Sequence, residues 1–411
     1  MPPYENAATL QSGRRFLFER CLSGLFSTTV DFERSRYLPN GSFKRVAEDG
    51  LLRGFNYETV IEPRAARTFE IIDSVAFPLM RSTVRKRLSP ILTDKYEMIE
   101  PDIEMLGKYF FERPLKILIT GFHGLIGQNL AYFLECAGHD VWHLSRFESQ
   151  AEKTVRWNPK TGECDAHRFE GFDIVVHLAG ENIGKGRWTK RKKERILNSR
   201  LQGTANLVRI INGLEQPPEV FIGASAIGYY GNRGNEWLDE TSAPGKGLFI
   251  SEVCKRWERA SRGLEDRGVR VVRARFGLVL SSAGGALRKM LPPFKWGMGG
   301  RLGSGRQYVS WVAIDDVVGS IYHLMMTPSL KGAVNVVSPQ PVTNDVFTKK
   351  LAKRLNRRTG LPLPEFMIRM ILGQKGEELL LTSTRVKPQR LDTTGYRFFY
   401  PDLSGALEHL V

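Results

Sequence analysis

From residue 115 onward the apolar and polar positions alternate between two periods. Leu115–Thr120 is a short run rich in β-branched residues, and the stretch after it, 121–138, carries apolar residues at helical spacing and ends on glycine. The same sequence of patterns recurs. Strands are predicted at 139–146, 171–180, 218–227 and 269–280, with helices at 189–212 and 247–265 between them. Alternation of this kind predicts an α/β fold, a Rossmann-type doubly wound parallel sheet with right-handed crossovers. The helix 313–328 and the strand 332–339 continue it. Segment 281–311, dense in glycine and aromatics, is expected to be an irregular covering lobe. Together with 338–411, where Pro362, Pro364 and Gly373 punctuate helical stretches, it predicts a small C-terminal α/β lobe.

The first 114 residues have a different texture. Runs within 43–79 suit antiparallel strands, and 96–110 suits a helix after Pro101, so a small α+β N-terminal region, residues 1–114, is expected before a larger domain at 115–411. No repeat joins the two.

Composition narrows the class. The 411 residues are 42% hydrophobic and 25% charged, which suits a folded globular chain. No apolar run reaches the roughly 18 residues that span a bilayer, and the N-terminus has no apolar core of a secretory signal, so no integral membrane association and a cytoplasmic location are expected. Cys21, Cys136, Cys164 and Cys254 are scattered, which disfavours both structural zinc and a disulfide framework, so no metal is expected. The net charge of +16 is uneven: residues 1–114 hold 17 basic against 16 acidic side chains, and 115–411 hold 43 against 28. A solvated positive surface explains this better than nucleic acid, which is not expected as a partner. The densest run, 185–195, is either a phosphate-contacting segment or the exposed start of a helix. Oligomeric state is not legible.

The strongest chemical signal is Gly121-Phe122-His123-Gly124-Leu125-Ile126-Gly127, lying between a predicted strand and a predicted helix. There Gly121 suits the tight turn, Gly124 lets the backbone approach a diphosphate, and Gly127 allows helix and strand to pack closely, with Leu125 and Ile126 opening the helix whose N–H groups face the phosphates. Nineteen residues after Gly127, where an NAD-binding chain carries an acid, stands Arg146, preceded by Ser145. A guanidinium suits a 2′-phosphate, so the expected cofactor is NADP(H) rather than NAD(H). Leu178, Ala179 and Gly180 should close the next strand beside the same nucleotide. His177, inside that strand, fits a satisfied core histidine better than a catalyst.

These residues also carry a resemblance. TGFHGLIG, VVHLAGENI, RWTKRKKERILNSR, ASAIGYYG, EVCKRWE, RFGLVLSSAGGALRKMLPPF, GGRLGSGRQYVSWVAIDDVV and VNVVSPQPVTNDVF stand in the order found in an atypical, epimerase-like subfamily of the extended short-chain dehydrogenase/reductases. The chain from 115 to 411 resembles that subfamily, some of whose bacterial members carry a lipid-transfer-like domain in front. IIDSVAFPL and YEMIEPDIEML look like its shortened remnant. The resemblance implies an NADP(H)-binding oxidoreductase or epimerase acting on a small hydroxyl or carbonyl substrate.

It also implies a serine, a tyrosine and a lysine four residues after the tyrosine. Ser225 matches the serine. Aligned on Lys255 the tyrosine position holds Ser251; one residue earlier the pair becomes Ile250 and Cys254, and neither register supplies a tyrosine. Candidates for the missing acid are Tyr229 and Tyr230, with Lys255 or Arg200 as the supporting cation; ordinary packing in a loop explains the tyrosine pair slightly better. Glu181, Asn182, Ser304, Arg306 and Gln307 are candidate mouth residues, and Trp188 and Trp311 line the cleft or pack beneath it. Two alternatives stay open: a non-catalytic NADP(H)-binding redox sensor or interaction protein, and a ligand-handling protein whose N-terminal region presents cargo.

Overall fold

The computed structural model describes residues 114–137, 139–146 and 153–411 and, within the first 113, the backbone of four strands. Those four, β1 (Ser35–Tyr37), β2 (Phe43–Val46), β3 (Asn56–Ala65) and β4 (Thr68–Ala76), form an antiparallel sheet in sequence order. The antiparallel strands expected within 43–79 are thus present as β2 to β4. The helix expected at 96–110 lies outside the described residues.

The second sheet has seven strands. β5 (Lys116–Thr120), β6 (Asp140–Ser145), β7 (Thr154–Arg156), β8 (Ile174–His177), β9 (Val220–Ala226), β11 (Arg270–Phe276) and β15 (Gly332–Val336) lie in the order β15-β11-β9-β8-β5-β6-β7. The registered pairs are parallel. Helices α1 (Leu125–Cys136), α2 (Lys190–Asn212), α3 (Phe249–Ala260) and α5 (Ile314–Met326) connect them. Strands buried on both faces need continuous apolar runs. Ile117, Leu118, Ile119, Val175, Val176, Phe221 and Ile222 supply them, each at most 1% exposed. Chain order runs outward from β5 to β7 and then returns to β8 on the other side of β5. That reversal opens a crevice beyond the strand ends, where nucleotides bind in this fold class.

Helix boundaries follow local chemistry. Thr189 caps α2, its side chain accepting from the Lys192 N–H. Segment 281–311 is more regular than expected: β12 (Leu278–Leu280) leads into α4 (Gly285–Lys295), and β13 (Tyr308–Val309) and β14 (Trp311–Ala313) follow. Leu287, Leu291 and Phe294 form a buried stripe on α4 that outweighs Pro292 and Pro293, which stand in its last turns. Beyond β15 come β16 (Val342–Thr343), α6 (Asn344–Arg354), α7 (Glu365–Leu372), a π-turn at Glu377–Leu381, β17 (Arg385–Val386), α8 (Gln389–Thr393) and α9 (Leu403–Leu410). β17 pairs in parallel with the short β10 (Trp237–Leu238). As expected, α7 begins after Pro364 and stops at Gly373, whose φ is +58°.

Candidate functional site

The glycine segment turns from β5 into α1 at the crevice. Gly121 has φ +73°, and a Cβ there would lie 2.9 Å from the Ala179 amide nitrogen. A Cβ on Gly127 would stand 2.4 Å from the Gly121 carbonyl oxygen, and one on Gly124 3.1 Å from the same atom. The turn is closed by the Gly124 N–H donating to that carbonyl at 2.9 Å. The result is a cradle of bare backbone at a helix N-terminus whose first turn holds no acid. Such a surface fits a diphosphate by shape and by sign of charge. Gly124 is exposed, Leu125 and Ile126 are half-buried, and Leu178 and Ala179, also half-buried, lead to exposed Gly180 on the opposite wall. Ser145 ends β6, and Arg146 follows it, exposed, at the same edge of the sheet.

Behind this wall His177 lies fully buried. Its Nδ1 is 2.7 Å from Thr120 Oγ1 and its Nε2 3.0 Å from Thr204 Oγ1; the Ala179 N–H donates to the first hydroxyl and the Trp257 indole to the second. Burial, with help from Arg200, pushes its pKa down to about 4, so the ring is a neutral strut between strands and helices.

The other half of the site lies at the ends of β9, β11 and β15. Ser225, Arg275 and Asn335 are register partners across those three strands, and all three are buried. Ser225 Oγ donates to Glu258 Oε1 at 2.7 Å, and Arg275 clamps both oxygens of Glu258, Nε on Oε1 and Nη2 on Oε2, each at 2.8 Å. The Arg275 Nη1 donates to the Tyr230 hydroxyl at 2.8 Å, and Tyr230 donates on to Asn335 Oδ1 at 2.7 Å. Every polar atom in this row has a partner, as a buried network requires.

The two tyrosines therefore differ. Tyr230 is 0% exposed, and burial pushes its pKa up to about 12 although Arg275 pulls the other way. Tyr229 is half-buried with its ring 3.6 Å from the Arg275 guanidinium carbon, a cation–π contact, and its hydroxyl makes no hydrogen bond among the described residues.

Helix α3 settles which residues face this network. Ile250, Ser251, Val253, Cys254 and Trp257 are its buried residues. Ser251 donates to the Gly228 carbonyl at 2.8 Å. Burial, with the Glu258 charge, pushes the Cys254 thiol up to about 12. Lys255 turns outward, its ammonium 2.6 Å from Glu252 one turn back, at the protein surface. Arg200 stands between the halves: its Nη1 donates to the carbonyls of Glu181 and Ile196, its guanidinium lies 4.8 Å from the Trp257 ring, and a Cβ on Gly180 would meet it at 3.1 Å.

The remaining candidates are mostly structural in their contacts. Trp188 donates to the Ile183 carbonyl and Trp311 to that of Gln340, both indoles buried. Gln307 is also buried, its amide donating to the carbonyls of Leu302 and Leu380, whereas Ser304 and Arg306 are exposed. Asn182 accepts from the Gly184 N–H in a local turn. Glu258, Arg275 and Asn335 were missed by sequence reasoning. The available signal was slight: Asn335 is a polar residue in an apolar strand, whereas Arg275 shares its strand with Arg270 and Arg273, and Glu258 shares its helix with Glu252, Lys255, Arg256 and Arg259.

The sequence profile of the NAD dependent epimerase/dehydratase family matches residues 117–337, and a domain of unknown function, DUF1731, matches 363–410. This chain belongs to the NAD dependent epimerase/dehydratase family. It is 39% identical over 291 residues to the epimerase family protein Mb2239 of Mycobacterium bovis, covering 71% of this chain and 96% of that one. It is similar in structure to the human epimerase family protein SDR39U1, solved with NADPH: TM-score 0.66, 33% identity, 72% of this chain and 98% of the other. A nucleoside-diphosphate sugar epimerase from Corynebacterium glutamicum aligns with TM-score 0.66 and 30% identity over 91% of this chain and 75% of its own. The family and the doubly wound fold expected from the sequence are thus established. No helix among the described residues is long and apolar enough to cross a membrane.

Proposed function

We propose that this protein is an NADP(H)-dependent oxidoreductase or epimerase of a small hydroxyl or carbonyl compound in which a serine–glutamate relay stands in for the absent tyrosine–lysine pair. The observation that carries the reading is the Ser225 hydrogen bond. Because Ser225 gives its proton to Glu258, its lone pairs are left to accept the hydrogen of a substrate hydroxyl. As the substrate loses that proton to Ser225 Oγ, the Ser225 proton passes to Glu258, and the return step reverses both transfers. Arg275 holds Glu258 in place for the transfer by binding both of its carboxylate oxygens.

Gly121, Gly124, Leu125, Ile126 and Gly127 would hold the dinucleotide's phosphates, Leu178, Ala179 and Gly180 its opposite side, and Ser145 with Arg146 the 2′-phosphate. The bound cofactor supplies the hydride acceptor or donor. Support for the phosphorylated form comes from Arg146 and from the NADPH in the human relative's structure. Tyr229, with its uncommitted hydroxyl above the Arg275 cation, is the group we assign to contact substrate beside Ser225. Arg200 contributes positive charge at the cleft, and Tyr230 and Lys255 serve packing and surface pairing. The working unit is residues 115–411, with 281–311 and 338–411 as its substrate lobe; the α+β region at 1–114 precedes it in the sequence.

NADPH oxidation measured over a panel of aldehydes and ketones tests the relay. Ser225→Ala should lower kcat by about 10²–10⁴, and Glu258→Gln should lower kcat while leaving the Kd for NADPH within twofold. NADPH binding with no turnover that depends on Ser225 would overturn the proposal in favour of a non-catalytic nucleotide-binding protein.

A further inference from the structure

Helix α2 opens with Lys190, Arg191, Lys192 and Lys193 and has no acid in its first turn. Cations there oppose the helix dipole, so the arrangement is unfavourable on local grounds. Its neighbours deepen the imbalance. Lys289 of α4 reaches the Gly184 carbonyl at 3.2 Å, and Lys375 reaches that of Gly186 at 2.6 Å. Arg187 donates to the Met370 and Ile371 carbonyls, at the last turn of α7. Lys192 is buried, and its ammonium lies 2.6 Å from Glu181, which also faces Arg195 at 3.8 Å. Burial, and after it the charges of Lys289, Lys192 and Arg187, lowers the pKa of Lys375, which marks these four cations as one electrostatic cluster.

Three segments distant in the sequence, 187–192 and those carrying Lys289 and Lys375, thus bring cations to one loop, 181–187, which follows directly on the Leu178–Gly180 wall. Lys289, Lys375 and Arg187 are held by carbonyl dipoles, which orient a cation without cancelling its charge; Glu181 is the acid that faces the cluster. A solvated positive face would spread its charges and leave them mobile. Here the side chains are tethered and convergent, and a backbone loop with a left-handed Gly186 (φ +73°) lies open among them, nothing standing within 4 Å of where a Cβ would be.

We propose that Lys192, Lys289, Lys375 and Arg187, gathered around the 181–187 loop, form a binding site for a multiply charged oxyanion carried by the substrate. The inference deepens the oxidoreductase reading and rests on it for the identity of the occupant as substrate. The substrate is then a small alcohol or carbonyl compound bearing a phosphate, diphosphate or polycarboxylate group. The site differs from the glycine cradle in kind, because it recognises charge with side chains rather than with backbone amides.

The test uses the full chain at constant ionic strength with saturating NADPH, and reads the shift in thermal midpoint on titrating inorganic pyrophosphate, with citrate as a second arm. The wild type should shift with one or both anions, and the anion that acts tells phosphoryl from carboxylate recognition. The Lys289→Ala/Lys375→Ala variant should weaken that anion at least tenfold and leave the Kd for NADPH within twofold. Lys349→Ala/Lys353→Ala, a change of equal charge on α6, should keep the wild-type response. Three results would overturn the site: no response to either anion in the wild type, equal loss in the α6 variant, or loss of NADPH affinity in parallel with the anion, which would give the cluster to the cofactor. Because NADPH affinity and anion response are read separately, failure of the anion site leaves the oxidoreductase reading standing, and failure of NADPH to bind removes that reading alone.

Discussion

The two halves of the seven-stranded sheet use different atoms. Around β5, β6 and β8 the strand ends present backbone: bare glycines, a helix N-terminus and two amide walls. Around β9, β11 and β15 they present a row of side chains, Ser225, Arg275 and Asn335, closed from above by Glu258. Backbone recognition tolerates almost any neighbour provided the glycines stay. Side-chain recognition depends on each member finding the next, so the second half is stable only as a set.

The sharpest way to break that contrast is at Arg275. Arg275→Met leaves the Glu258 carboxylate buried without its cation, a loss of about 3–5 kcal/mol of stability, measured by urea unfolding. Arg275→Met combined with Glu258→Leu should recover most of it. A single variant that loses under about 1 kcal/mol would mean that the row is not a coupled unit.

His177, between the halves, gives the next largest effect through pH. Its pKa is about 4 in the fold against about 6.5 unfolded. The unfolded chain therefore binds the extra proton between those values, and stability falls as pH drops from 6.5 to 4, by roughly 3 kcal/mol. Above 6.5 the ring is neutral in both states and contributes no slope. His177→Gln should flatten that part of the stability–pH curve; an unchanged slope would assign the acid sensitivity to other groups.

On the cofactor side a smaller effect sharpens the contrast. Arg146→Asp should weaken NADPH binding at least about tenfold, the range of one charge-assisted hydrogen bond, and change NADH binding much less. Calorimetry that finds equal losses for both would remove Arg146 from 2′-phosphate recognition.

The same contrast explains what the sequence made legible. The cradle is local: Gly121 to Gly127 stand within seven residues, between a strand and a helix whose periods are plain. Helix α3 was legible too, because the stripe Ile250, Val253, Cys254, Trp257 defines a buried face, and the structure buries those four. The second half was not. Ser225, Glu258, Arg275 and Asn335 are brought together by parallel strand register, which no short-range pattern encodes. The regularity of α4 was hidden for a related reason: the glycines and aromatics of 281–311 are conspicuous in the sequence, and the long-range burial of Leu287, Leu291 and Phe294 is not.

Glu378 ties these observations to the C-terminal segment. It is buried in the π-turn, accepts the Phe249 and Ile250 N–H groups at 3.0 and 2.8 Å, and so caps α3 from a point about 130 residues away in the chain. The segment matched as a domain of unknown function therefore supplies the first bond of the helix that carries Glu258. Tail and α3 are one mechanical part, and a chain that lost the tail would have to find another acid for that helix end or let its opening turn unwind.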